Sequence, residues 1–313
     1  MSESSTTSAG SPVCGVVGLG AMGMGIARSL LRGGLEVIGC DVSSASRQAF
    51  EEAGGEAVAS ARELAPRCDV VLLVVVNADQ VEAVLFGEDG LAATLASGSL
   101  VIQCATVAPS FAESLGRRLA EAGLMMLDAP ISGGAAKAAS GELSVMASGS
   151  AEAFALAEAP LGAMAATVHR LGDTPGPGSS VKLVNQHLAG VHIAAAAEAM
   201  ALGLKMGIDG RALYRVITQS AGNSWMFENR VPHILDGDYH PLSAVDIFVK
   251  DLNIVHDTGR ELRLSMPVAA SALQQFTAAS GMGLGREDDA AVVKVYAATA
   301  GIALPAANDD DAG

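Results

Sequence analysis

The spacing of apolar and polar positions changes character near residue 172. Before that point, short apolar runs alternate with helical patterns. The runs "VCGVVGLG" (Val13 to Gly20), "LEVIGCD" (Leu35 to Asp41), "CDVVLLVVV" (Cys68 to Val76), "SLVIQCA" (Ser99 to Ala105), "LMMLDAP" (Leu124 to Pro130) and "LSVMASG" (Leu143 to Gly149) predict six strands. Ala21 to Leu31 and Ser44 to Ala53 predict helices between them. Apolar strands separated by helices indicate a parallel sheet covered on both faces, an α/β doubly wound Rossmann architecture. After the Gly/Pro loop "GDTPGPGSS" the strand-sized runs stop. Long Ala/Leu/Met-rich segments follow at Val181 to Gly207, Gly210 to Ser220, Val245 to Arg263, Val268 to Ala279 and Asp288 to Ala300. They predict an all-α second domain joined through a long helix, a backbone for the domain or for a subunit interface. The expected organisation is a disordered tail over 1–12, a Rossmann domain over 13–173, a helical domain over 174–303 and a second loose tail over 304–313.

Helix phase singles out "GSSVKLVNQHLAG", Gly178 to Gly190. Lys182, Asn185 and Gln186 stand at i, i+3 and i+4 and share one face. Val181, Val184, Leu188 and Val191 form a second, apolar stripe, while Ala189 and Ile193 continue the face of Lys182. Both stripes read as buried. A lysine on a buried face must be paired, snorkel to solvent, or line a cavity. Burial beside a cation would lower its pKa and make it usable as a general base, with Asn185 and Gln186 orienting it or holding a substrate hydroxyl.

"GLGAMG" places Gly18, Gly20 and Gly23 around Ala21 and Met22, closing one strand and opening a helix. The next strand ends in Asp41, at the distance from the glycines that a ribose-binding acid requires. In that context the pattern is a dinucleotide fingerprint, with the helix start facing the pyrophosphate. Asp41 would accept from ribose hydroxyls and repel a 2′-phosphate, which favours NAD over NADP, although Arg47 lies close enough to meet a phosphate. Ligands of such sheets bind beyond the carboxyl ends of the strands. Those ends carry Val76 and Asn77, Thr106, and the glycine-rich "DAPISGG". There Ser132, Gly133 and Gly134 can offer a hydroxyl and N–H groups to a carboxylate, or form an ordinary turn. Lys250, followed by Asp251, is either a surface ion pair or a second buried cation. "SAGNSWMFENR" (Ser220 to Arg230) holds the single tryptophan and reads as a loop that closes over a substrate or plugs a helical core.

Composition narrows the partners. Half the residues are hydrophobic but only 4% are aromatic, so Ala, Val, Leu and Met must build the core. The net charge of -15 speaks against nucleic acid and anionic membranes. Positive charge is scarce enough that each lysine is informative: they are Lys137, Lys182, Lys205, Lys250 and Lys294. Cys14, Cys40, Cys68 and Cys104 match no metal or redox spacing and read as reduced, buried thiols. His187 and His192 are one residue too far apart to share a helix face as ligands, so no metal site is expected. No uninterrupted apolar run approaches the ~18 residues of a spanning helix, and the N-terminus lacks a basic segment followed by an apolar one. A cytoplasmic protein is expected.

"GLGAMGMG", "DAPISGG", "GPGSSVKLVNQ" and "KDL", in that order over Val13 to Ala300, resemble the β-hydroxyacid dehydrogenase family, which contains 3-hydroxyisobutyrate dehydrogenase and tartronate semialdehyde reductase. The resemblance implies NAD as cofactor, a small anionic hydroxy-acid substrate and a homo-oligomer, dimer or tetramer. It implies a catalytic role for Lys182, substrate anchoring by Ser132, Gly133 and Gly134, and cofactor contacts from the glycine loop, Thr106 and Lys250. Gln186 replaces an asparagine common in the family, which points to a sugar acid carrying extra hydroxyls. The alternatives are a 3-hydroxyisobutyrate or tartronate/succinic semialdehyde type of activity on the same scaffold and, more distantly, a non-catalytic dinucleotide sensor.

Overall fold

The computed structural model describes residues 11–305. It forms two compact units, one ending at Lys182 and the other beginning at Leu183.

The N-terminal unit is built on six parallel strands: β1 (Cys14–Val17), β2 (Val37–Cys40), β3 (Glu56–Val58), β4 (Val70–Leu73), β5 (Leu100–Gln103) and β6 (Met125–Asp128). Their spatial order is β3-β2-β1-β4-β5-β6, a doubly wound sheet as expected. Helices α1 (Ala21–Arg32), α2 (Ser44–Glu52), α3 (Ala61–Leu64), α4 (Ala78–Phe86) and α5 (Pro109–Glu121) connect them. Successive strand residues point to opposite faces. Val70 and Leu72 therefore join one apolar cluster with Ile26 and Leu30, while Val71 and Leu73 join another with Leu85 and Leu119. Burial on both faces explains why these strands are unbroken Val/Leu runs rather than alternating ones. All four cysteines are free and buried.

Two parts of this unit depart from the sequence expectation. The sheet's outermost strand is β3, three residues long with Glu56 exposed, too short and polar to register as an apolar run. The expected sixth strand, β8 (Leu143–Ala147), lies instead in a separate three-stranded sheet. There it pairs antiparallel with β7 (Ile131–Ser132) and parallel with β9 (Ala165–Arg170). Strand β9, "AATVHR", is largely exposed and so carries no hydrophobic signature. Helices α6 (Gly134–Ser140) and α7 (Ala151–Met164) connect this sheet.

Helix α8 (Pro177–Lys205) runs across the division between the units. It begins four residues earlier than its apolar pattern implied. By length and hydropathy it could cross a membrane, yet Ala189, Ile193, Ala197 and Met200 lie in the core of the C-terminal unit. The companions are α9 (Gly210–Ile217), α10 (Trp225–Asp236), α11 (Val245–Glu261), α12 (Pro267–Ala279) and α13 (Val293–Ala300). Phe248 and Phe276 stack at its centre, ring centroids 5.2 Å apart. A Cβ at Gly210 would stand 2.7 Å from the end of the Leu235 side chain, which would have to shift to admit it.

Three further expectations are corrected here. The segment read as a Trp-bearing loop becomes helix from Trp225 onward, because Ser224 caps it by accepting from the Phe227 N–H at 3.0 Å. Trp225 is half exposed and Phe227 is the residue that enters the core. The second stripe of α8 is not buried: Val181, Val184 and Leu188 are 41%, 62% and 47% exposed. Leu304, assigned to the C-terminal tail, packs against the core of its unit. Residues 1–10 and 306–313 of the two expected tails lie outside the described residues.

Candidate active site

The polar groups singled out from sequence divide between the two units. In the N-terminal unit the glycine loop follows β1. Gly18 adopts φ +94°, a conformation that disfavours any side chain, and its N–H donates to the Cys40 carbonyl at 2.9 Å. A Cβ at Gly23 would collide with the Gly18 carbonyl oxygen, so helix α1 can approach β1 only with glycine there. Gly20 is different. Its φ of -67° is ordinary, and a Cβ at that position would meet nothing within 4 Å. Nothing in the protein's own packing requires glycine at 20, and it provides no side-chain cap to the first turn of α1. Open space before uncapped N–H groups at a helix start fits the pyrophosphate of a dinucleotide.

Asp41 closes the loop from the other side. Its carboxylate accepts from the Leu19 N–H at 2.7 Å and the Ser43 N–H at 2.8 Å, fixing loop and acid together. Arg47, the residue that could have met a 2′-phosphate, donates instead to the Asp41 and Val42 carbonyls at 2.7 and 3.1 Å. The residues present therefore fit NAD.

The strand ends supply the other residues singled out in this unit. Val76 donates its N–H to the Gln80 side chain at 2.8 Å, and Asn77 caps α4 by accepting from the Gln80 N–H at 2.9 Å. Asn77 thus has a structural duty that sequence reading did not assign. Thr106 follows a turn tied by the fully buried Gln103, whose amide donates to the Ala105 carbonyl at 3.0 Å. Gln103 was missed from sequence because a single glutamine at a strand end carries no pattern. Ser132 pairs with Ser144 across the small sheet, and Gly133 and Gly134 follow with φ of +136° and +74°. Two consecutive positive φ values turn the backbone sharply and explain why both positions are glycine.

Asp128, at the end of β6, meets the start of α8. It is completely buried and accepts from the Gly176 N–H at 3.0 Å, the Ser179 N–H at 2.8 Å and the Ser179 hydroxyl at 2.7 Å. The Ser148 hydroxyl also donates to it at 3.4 Å and accepts from the Gly178 N–H at 2.9 Å. Burial pushes the Asp128 carboxyl above its usual range, and the donors from Ser179, Gly176 and Ser148 pull it back. One turn after Ser179, on the same face, stands Lys182, only 7% exposed. Sequence reading found Lys182 but not Asp128.

A polar cluster lies in the C-terminal unit. Lys250 of α11 forms an ion pair with Asp251 at 2.6 Å, and Asp251 is 1% exposed. The Gln186 amide donates to the same carboxylate at 2.5 Å and accepts from the Asn185 amide at 3.0 Å. Lys250, Asp251, Gln186 and Asn185 are therefore one chain of contacts. Asp251 is its hub and was noted from sequence only as the neighbour of Lys250.

Comparison with known proteins adds the remaining information. Residues 13–172 match the NAD binding domain of 6-phosphogluconate dehydrogenase, and residues 176–296 match the NAD-binding domain of NADP-dependent 3-hydroxyisobutyrate dehydrogenase. The chain is 63% identical to an L-threonate dehydrogenase of Cupriavidus necator, covering 93% of this chain and 97% of that protein. It is 52% identical to an L-threonate dehydrogenase of Escherichia coli, covering 94% and 96%. Among solved structures, a Salmonella typhimurium protein described as 3-hydroxyisobutyrate dehydrogenase superposes with a TM-score of 0.86 at 53% identity, covering 90% of this chain and 99% of that one.

Proposed function

The chain belongs to the 3-hydroxyisobutyrate dehydrogenase-like family and is an NAD-dependent hydroxyacid dehydrogenase, and on that premise we propose that its substrate is L-threonate. The C2 hydroxyl would be oxidised to a ketone, giving 2-dehydro-L-erythronate. The observation that carries this reading is the 63% identity to an L-threonate dehydrogenase over nearly the whole of both chains. The description of the Salmonella structure keeps 3-hydroxyisobutyrate as the second reading.

NAD, when bound, would supply the hydride acceptor; Gly18, Gly20, Ala21, Met22, Gly23 and Asp41 would hold it, with Val76, Asn77, Thr106 and Lys250 as further proposed contacts. The protein's own groups do the proton chemistry. Ser132 and the backbone N–H groups of Gly133 and Gly134 receive the substrate carboxylate. Lys182 takes the proton of the C2 hydroxyl. Lys182 is 7% exposed, in the first turns of α8, where an amine can serve as a general base. Gln186 is engaged by Asp251 and by Asn185, so a distal hydroxyl is read through the pair rather than by Gln186 alone. The exposed apolar residues of α8, Val181, Val184, Leu188 and Leu202, support a homo-oligomer, and a monomeric mass in sedimentation would remove that part of the reading. Four buried free thiols support a cytoplasmic setting, which fractionation of the source cells would test.

The test is NADH formation across a panel of L-threonate, its stereoisomers, glycerate and 3-hydroxyisobutyrate. L-threonate should exceed 3-hydroxyisobutyrate in kcat/KM by about 10⁴, because a site built to bind hydroxyls rejects analogues that lack them. A preference for 3-hydroxyisobutyrate overturns the substrate. Lys182→Ala should lower kcat by about 10³ with NAD affinity unchanged, within the usual reach of general base catalysis; near-normal turnover overturns the role of the lysine.

A further inference from the structure

We propose that Asp128 is a positioning residue for the reaction: its buried carboxylate caps the start of α8 from a distant strand and thereby fixes Lys182. This rests on the reading of Lys182 as the base.

The first N–H groups of a helix have no partner within the helix and are usually met by a side chain just before it. The residues before α8, "GDTPG", place no Ser, Thr, Asn or Asp immediately ahead of Pro177. The cap comes instead from 51 residues away in sequence, where Asp128 receives the Ser179 N–H and hydroxyl on its two oxygens. Ser148 receives the Gly178 N–H beside it. Asp128 and Ser148 are themselves locked to one another by reciprocal backbone hydrogen bonds of 3.0 and 2.8 Å. The platform is rigid and the helix start is seated on it.

The glycines of "GPG" permit that seat. Gly176 has φ +122°. A Cβ on Gly178 would stand 2.5 Å from the Met146 carbonyl and 2.7 Å from the Asp128 carbonyl. Ser179, Lys182 and Gln186 stand at i, i+3 and i+7, so the face that Asp128 grips is the face that presents the lysine. All three are buried, Ser179 at 1% and the other two at 7% exposure. A helix rises 1.5 Å per residue. Slippage of the first turn by one residue would displace the amine by a distance that costs orders of magnitude in rate. The two backbone N–H groups can only donate whereas a hydroxyl can also accept, so an asparagine keeps them with its oxygen and reverses the bond to Ser179; what it removes is the charge that strengthens the cap.

The experiment is steady-state kinetics of Asp128→Asn, Ser179→Ala, Lys182→Ala and Asp128→Asn/Lys182→Ala, with NAD affinity measured on each. Asp128→Asn should lower kcat about 10- to 100-fold while leaving the Kd for NAD within twofold. General damage to the N-terminal unit would weaken NAD binding, since the glycine loop lies in the same unit. Ser179→Ala, which removes one donor and keeps the fold, should lower kcat about fivefold. In the Lys182→Ala background, Asp128→Asn should lower the residual rate by less than twofold, because there is no base left to misplace. Wild-type kcat in Asp128→Asn overturns the proposal, as does a full, independent loss in the double variant. If Asp128→Asn fails to fold, wild-type kcat in Ser179→Ala overturns it. Near-normal turnover in Lys182→Ala would instead remove the role of the lysine and leave the capping geometry intact, so the two failures are distinguishable.

Discussion

Asp128 and Asp289 are both carboxylates with no exposed surface, one in each unit, and they are satisfied in opposite ways. Asp128 is held by neutral donors: two backbone N–H groups and two hydroxyls. Asp289 is held chiefly by an ion, the Arg230 guanidinium, at 2.5 Å, with the Ser243 side chain hydrogen-bonded to it as well. Burial raises both acids. For Asp289 the rise reaches about 6, with Arg230 pulling it back and neighbouring Asp288 adding to it. The neutral arrangement buries one charge at the start of a helix whose N–H dipoles are already aligned. The ionic one buries two, and holds α10 to the segment preceding α13. Neutral donors can be placed to orient something else; an ion pair chiefly demands its own completeness.

The largest test of that contrast is Arg230→Met. It leaves Asp289 without its counter-ion and should destabilise the C-terminal unit by about 3–5 kcal/mol, read from urea denaturation. A loss below about 1 kcal/mol would mean that the pair matters no more than one at the surface. A smaller effect follows from pH. A carboxyl raised to about 6 in the folded protein, against about 3.9 unfolded, binds its proton more tightly when folded. Its stabilising contribution is full below the unfolded value and disappears as pH rises through about 6. The sum is at most about 2–3 kcal/mol. Melting temperature between pH 4 and 6 should therefore fall more steeply with rising pH in the wild type than in Asp289→Asn; parallel slopes would sink this assignment.

The smallest effect concerns buried groups that carry no charge. Burial pushes the thiols of Cys14, Cys68 and Cys104 to about 12 and that of Cys40 to about 11, so they resolve the problem by staying neutral. Maleimide labelling at pH 7.5 should run at least ~100-fold slower in the folded protein than in urea. Rapid labelling of the folded protein would place these cysteines outside the pattern.

The sheet was legible because its strands are buried on both faces, which forces runs such as "VVLL" into the sequence. Strands β3 and β9 were not, because exposed edges place no such demand on composition. Helix phase located Lys182, Asn185 and Gln186 because their periodicity is local. It could not reveal Asp128 or Asp251, whose partners stand 51 and 65 residues away. It also misjudged Val184, since an apolar stripe looks the same whether or not the chain itself covers it. The glycines were the most informative single residues, because each records a steric demand. The demand at Gly23 comes from the Gly18 carbonyl within the fold.

The demand at Gly20 comes from outside it, since no atom of the described residues occupies the space a Cβ would fill. Serine or asparagine there would cap α1 and add a few tenths of a kcal/mol. In a lineage that no longer used the nucleotide, drift would have every reason to fill that space. An empty Gly20 is thus a wear mark, and the same position in related chains would separate working copies from retired ones.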